Sequence, residues 1–407
     1  MSEAVTSEPA TTQEPITFEQ HWERTHRFDP PELFDRLRAS KPLARMTYPD
    51  GHLGWLVTDH ALTRQVLSDP RFSHRVDLAH FPVTRNGEPV PPLPLMPGMF
   101  IHMDPPEHTR YRKLLTGEFT LRRVGLLRER VAAAARDRLA ALRADGPVAD
   151  LVSGFTAPLA LGVLADLIGL SAREAAALAE YPEVAHAPEV DVAWATEVIQ
   201  RTLDTMGAFV ARTKAEPADN LASRMLTSGE LTDDEVTNIL LLLFVAGYVT
   251  TEGALAMSVF ALLCHPDQLA ALRAGGDFAG VVDELLRYTT VNQYEIFRAA
   301  TEDVELGGEL VRAGETVTLS LPSANRDPRR FPNPTALDLG RDPAGHLAFG
   351  HGVHQCLGQH LGRAVLEIAL ATLLPALPGL ALAVPEAEVP LRARTSVFSV
   401  GSLPVTW

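Results

Sequence analysis

Residues 349–363 read Phe349-Gly350-His351-Gly352-Val353-His354-Gln355-Cys356-Leu357-Gly358-Gln359-His360-Leu361-Gly362-Arg363. Two glycines bracket a histidine, a single cysteine follows, and an apolar-periodic segment starts directly after it. Gly350 and Gly352 remove Cβ atoms where a backbone must bend or approach a flat ligand closely. At a helix N-terminus, Cys356 would meet orphan N–H groups and a dipole that favour thiolate over thiol. Such a cysteine suits a lone anionic ligand to a metal already held by something else, and haem iron with an axial thiolate fits. A lone cysteine is more often a small buried hydrophobe. Zinc held by His351, His354, Cys356 and His360 is a sharper alternative, but structural zinc sites usually gather ligands as spaced pairs.

The stretch resembles the haem-binding loop of the cytochrome P450 family, Phe-Gly-x-Gly-x-His-x-Cys-x-Gly. Phe349, Gly350, Gly352, His354, Cys356 and Gly358 fill every fixed position. The resemblance implies a mainly α protein with a smaller β portion, an α+β fold with a long central helix over the haem. It implies haem b, iron protoporphyrin IX, with Cys356 as axial ligand.

The long helix is legible by itself. Thr232 and Glu235 form a capping box, the segment from Ile239 to Ala246 is apolar on every face, and Pro266 stops the helix near Cys264. Asn238, Thr250, Thr251, Glu252 and Ser258 interrupt it too often for a membrane span. Ala246-Gly247-Tyr248-Val249-Thr250-Thr251 resembles the family's oxygen-activation motif. The resemblance implies that Gly247 makes room for dioxygen and that Thr250 bonds the distal oxygen and helps deliver protons. A mid-helix threonine more often bonds back to a carbonyl four residues earlier. The family's acid is Val249 here, so Glu252, water or the substrate is expected to supply the proton.

Asp104-Pro105-Pro106 suits a helix start, and His108 and Arg112, four apart, share a face of that helix. A solvated cationic face is the ordinary reading; the family's pattern makes them clamps for the haem propionates, with Arg298 a third. Arg110, Lys113, Arg122 and Arg123 read as either a docking patch for an acidic electron donor or a solvated face. Glu284 and Arg287 have the spacing of an ordinary helical ion pair worth ~0.3 kcal/mol. In the family that pair is buried behind the haem.

Six prolines between 82 and 100 exclude regular structure there. By resemblance this loop covers the substrate pocket, offering Leu95, Met96, Met99 and Phe100. Val291 to Phe297 reads as a strand at the cofactor's edge. Leu243, Val291, Asn292, Ile296 and Phe398 complete the pocket candidates. Residues 184–192 read as a break between helices, and by analogy as a flap over the entrance. Glu302 to Val317 reads as a hairpin turning at Gly307-Gly308.

The net charge of −15 over 407 residues argues against a nucleic-acid partner, and two distant cysteines against a disulfide framework. From its polar, acidic start the chain is expected to have no signal peptide or anchor; residues 1–16 are expected to be a disordered tail before one domain spanning 17–407, in the cytoplasm. The reading is a monooxygenase acting on a small apolar substrate of secondary metabolism with O2 and electrons from a ferredoxin-type donor and its reductase. A peroxygenase, or an enzyme of oxidative rearrangement or coupling, is the alternative. A non-catalytic haem sensor or a zinc module is more distant.

Overall fold

The computed structural model describes residues 15–17 and 23–407, so the expected tail falls largely outside the described residues. Its last positions are not tail, because Ile16–Thr17 pairs in parallel with Leu43–Thr47. This is the edge of a six-stranded sheet that continues through Leu53–Val57, Thr316–Leu319, Phe297–Ala300 and Phe72–Ser73. The expected strand from Val291 is shorter at its start: only Phe297–Ala300 is extended within this sheet, and Asn292 makes an isolated bridge to Val397. Val304–Leu306 and Glu309–Val311 form the small hairpin, turning at Gly307-Gly308.

Helices make the rest. The central helix, Asp233–Cys264, is 32 residues long, about 48 Å at 1.5 Å per residue. Its start is fixed as the sequence requires: Thr232 Oγ1 accepts from the Glu235 amide at 3.2 Å, and Glu235 Oε2 accepts from the Thr232 amide at 2.8 Å. By length and composition it could cross a membrane. Instead, Ala157–Ile168, Phe278–Thr289 and Gln359–Ala376 pack around it, and its second half, from Gly253 to Leu262, is entirely buried. That burial, rather than intrinsic propensity, holds so long a helix in place.

The proline-rich stretch is less irregular than its composition suggests. Thr84–Arg85 and Glu88–Pro89 form a two-stranded hairpin around Asn86-Gly87, and Phe100–His102 is one 3₁₀ turn. Asn86 and Gly87 sit at φ 51° and 78°, left-handed values that such a tight turn needs. The hairpin tip holds the segment between helices Tyr181–His186 and Val192–Ala215. The Asn86 amide donates to the Pro188 carbonyl at 2.8 Å, and Asn86 Oδ1 accepts from the Val190 amide at 2.7 Å. Arg85 donates to the Val184 carbonyl beside them.

Candidate active site

The cysteine loop is held by its backbone. Cys356 N–H donates to the Phe349 carbonyl at 2.9 Å, closing the loop on itself. Gly350 and Gly352 lie at φ 68° and 76°, and a Cβ on Gly352 would sit 2.2 Å from the Leu67 carbonyl oxygen. Gly352 is therefore fixed twice over, by conformation and by space. A Cβ on Gly358 would meet nothing within 4 Å. The Phe349 ring lies under the Arg363 guanidinium at 4.5 Å.

Cys356 stands just before the helix Gln359–Ala376 rather than in its first turn, with Gly358 as the cap. Burial pushes its thiol pKa up, while the Gly358 N–H, Arg112 and Arg363 pull it down. The helix end alone is thus too weak to make a thiolate here; a bound cation would have to complete the task. Protein surrounds Cys356 closely, yet its own surface is exposed. Ala246, in the middle of the central helix, is exposed as well. Exposed surface at such places is the wall of interior space.

Beside that space lies a cluster of donors without acceptors. Among the described residues the His108 ring has no partner at either nitrogen, nor has His354 Nε2 or His74 Nδ1. The His354 ring is 4.1 Å from His108 and 4.4 Å from His74. Burial, with the nearby Arg298 next, lowers the His354 pKa to about 2 and holds His74 well below the usual imidazole range. Burial lowers Arg298 itself to about 10. Among the described residues Arg298 donates only to its neighbour Phe297, at 2.7 Å, and Arg112 reaches the Gln355 carbonyl at 2.5 Å. Orphaned buried donors are costly, and an anionic guest relieves them. A flat macrocycle carrying carboxylates, with iron over Cys356, fits this donor set. The sequence named four of the five groups. His74 was missed because it follows a two-residue strand and no spacing ties it to the others.

No group of three or more His, Cys, Asp or Glu among the described residues is placed to hold a metal ion by itself. His351 instead faces Arg64 at 3.3 Å, so the zinc grouping is not assembled.

On the central helix, Thr250 donates to the Ala246 carbonyl at 2.6 Å, the back-bond that mid-helix threonines favour. Its oxygen keeps lone pairs for accepting. Gly247 does not face the open space: a Cβ there would lie 2.7 Å from Leu164 Cδ2, so helix packing accounts for it. Glu252, two residues on from Thr250, points to another face. It meets Arg392 at 3.7 Å and leaves Oε1 unpartnered, and burial raises its carboxyl pKa to about 7. It is no neighbour to the Thr250 hydroxyl. Thr251, like Val249, is half-buried beside it.

The pocket candidates divide. Leu243, Val291, Asn292, Ile296 and Met99 are half-buried, and Met96 is exposed. Phe398 is not a pocket residue: it is 1% exposed and lies under the Arg24 guanidinium at 4.1 Å. Behind the site, Arg287 grips Glu284 at 2.7 and 2.8 Å, both fully buried. The basic patch is reduced, since Arg110 pairs with Glu235 at 2.6 Å and Arg123 with Glu118 at 3.3 Å.

Residues 279–378 match the family described as Cytochrome P450. Cytochrome P450 105C1 from a Streptomyces species is 39% identical, covering 97% of this chain and 99% of that one. Pentalenic acid synthase of Streptomyces avermitilis is 38% identical, covering 98% of this chain and 100% of that one. The structure of CYP105P1 in complex with filipin I superposes with a TM-score of 0.90 at 35% identity, over 97% of this chain and 99% of that one.

Proposed function

Since this chain belongs to the cytochrome P450 family and is a monooxygenase, we propose that it oxidises a largely apolar intermediate of secondary metabolism, by hydroxylation or epoxidation. The reading takes residues 17–407 as one catalytic domain, working in the cytoplasm. Haem b bound through Cys356 would supply the oxygen-activating redox chemistry. His74, His108, His354, Arg298 and Arg112 would pair with its propionates, and Ala246 would line the space that receives it. Electrons would come from a ferredoxin-type donor with its reductase, docking near exposed Lys113 and Arg122. Thr250 would accept and pass a proton once the substrate breaks its bond to Ala246.

The observation that carries the reading is the group of buried donors without acceptors beside an exposed cysteine. Its test is the reduced, carbon-monoxide-bound spectrum. The wild type should show the haem-thiolate band and Cys356→Ser should lose it; an unchanged spectrum in the variant would overturn the assignment. A peroxide-driven or rearranging reaction is the second reading, favoured by Val249 and by the absence of a carboxylate from the Thr250 face. Comparing turnover under a ferredoxin system with turnover under hydrogen peroxide separates the two.

A further inference from the structure

A carboxylate, Glu295, stands where the segment from Val291, the helix Tyr181–His186 and the C-terminal turn meet. Glu295 lies deep among protein atoms, yet 40% of its side-chain surface is accessible, which makes it a wall of interior space. Its Oε1 is 3.0 Å from His186 Nδ1, and Ser396 Oγ is 2.6 Å from the same nitrogen. His186 ends the helix Tyr181–His186, Ser396 comes from the C-terminal turn, and His102 approaches from the 3₁₀ turn. Three separate segments thus converge on one acid.

We propose that Glu295 is the recognition point for a cationic nitrogen on the substrate, positioned by His186 and Ser396, so that this oxygenase takes amine-bearing apolar molecules. The inference rests on the monooxygenase reading and narrows its substrate class. A carboxylate only accepts hydrogen bonds, and Asn292, three positions before Glu295 and bridged to Val397 next to Ser396, has a buried Oδ1 without a partner among the described residues. An ammonium group gives the carboxylate a charge-assisted donor. An anion would have to reach His186 past the carboxylate that already holds its Nδ1. Arg85, the remaining cation facing His186, is turned to the Val184 carbonyl. Where the 84–89 hairpin meets residues 188–190, an outer cleft is lined by Asn86, Gly87, Glu189, Val190 and Asp191, two of them acidic.

His186 is the built-in competitor. Burial works against its imidazolium, but the Glu295 carboxylate outweighs burial and holds its pKa above the ordinary value. A substrate cation must displace that proton. Affinity should therefore rise with pH as His186 gives up its charge, while His102, held neutral by burial, contributes no change.

Calorimetry on the haem-loaded enzyme with N,N-dimethyldecylammonium, decan-1-ol and decanoate tests this. The three share one alkyl chain, and the tertiary ammonium carries one N–H donor, stays protonated at pH 8 and below, and in that form has no lone pair for iron. Near pH 8 the cation should bind roughly tenfold or more tightly than the alcohol, with decanoate weakest. Its advantage should shrink as pH falls through the His186 titration, vanish in Glu295→Gln and persist in Glu295→Asp. Equal affinities, a preference for decanoate, or a cation preference that survives Glu295→Gln would overturn the proposal. The carbon-monoxide spectrum reports separately on the parent reading: a cation preference without a haem-thiolate band would defeat that reading alone.

Discussion

Removing the Glu284 carboxylate should destabilise the fold about tenfold more, in energy, than the sequence spacing of the pair suggests. Glu284 Oε2 accepts from Arg287 Nε at 2.7 Å, and Oε1 accepts from Arg287 Nη2 at 2.8 Å and from Arg341 Nε at 3.2 Å. The Asp338 amide adds a bond at 3.1 Å. Glu284→Leu would leave two guanidinium groups without their anion. Breaking one side of a buried pair costs ~3–5 kcal/mol, against ~0.3 for a solvated helical pair. The Asn325 and Pro334 carbonyls still accept from Arg287 at 2.9 Å each, which places the cost near the lower end, about 3 kcal/mol. With a urea slope of roughly 3 kcal/mol per molar or more, the unfolding midpoint should fall by up to about 1 M. Arg287→Met should behave alike. The double variant should cost no more than the worse single, because only Arg341 then lacks its anion. Equilibrium urea unfolding followed by circular dichroism decides it: midpoints within about 0.2 M of wild type, or additive losses in the double variant, would show that the pair does not lock the core.

Gly352→Ala forces a Cβ into the Leu67 carbonyl at a positive φ, so the haem-to-protein ratio of the purified variant should drop sharply; full loading would refute the constraint. Gly247→Ala meets only the end of the Leu164 side chain, so it should cost about 1 kcal/mol of stability and leave ligand binding at the haem unaltered. A normal midpoint with abolished turnover would return Gly247 to the reaction space. Glu252 has a folded pKa of about 7, above its ordinary 4.5, so its stabilising contribution is full below pH 4.5 and is lost as pH rises through 7. Glu252→Gln should therefore gain up to ~3 kcal/mol on wild type between about pH 5 and pH 8, read from paired urea curves; parallel pH profiles would contradict the shift.

Much of this architecture is written in local chemistry. The capping box at Thr232, the stop at Pro266 and the turn glycines at 350 and 352 are decided by neighbours in the chain, and they hold in space. What eluded the sequence depends on which way a side chain leaves its helix or strand relative to distant partners. Gly247 faces Leu164, Phe398 turns beneath Arg24, and Glu252 seeks Arg392; each contact spans 80 or more residues. His74 joins the donor cluster only because tertiary packing brings its strand to the cysteine loop. One local signal was legible but outweighed. Asn86-Gly87 is a strong hairpin turn, and the density of prolines around it masked that.

Asn86 ties the hairpin at 84–89 to residues 188–190 through two hydrogen bonds, and Arg85 adds a third to Val184. Separating the two stretches breaks all three together, so they should move as a unit. Anyone grafting a foreign loop at 84–89 to alter selectivity inherits an obligation at 188–190. The two stretches are one module interrupted by a hundred residues, and they should be transplanted as a pair.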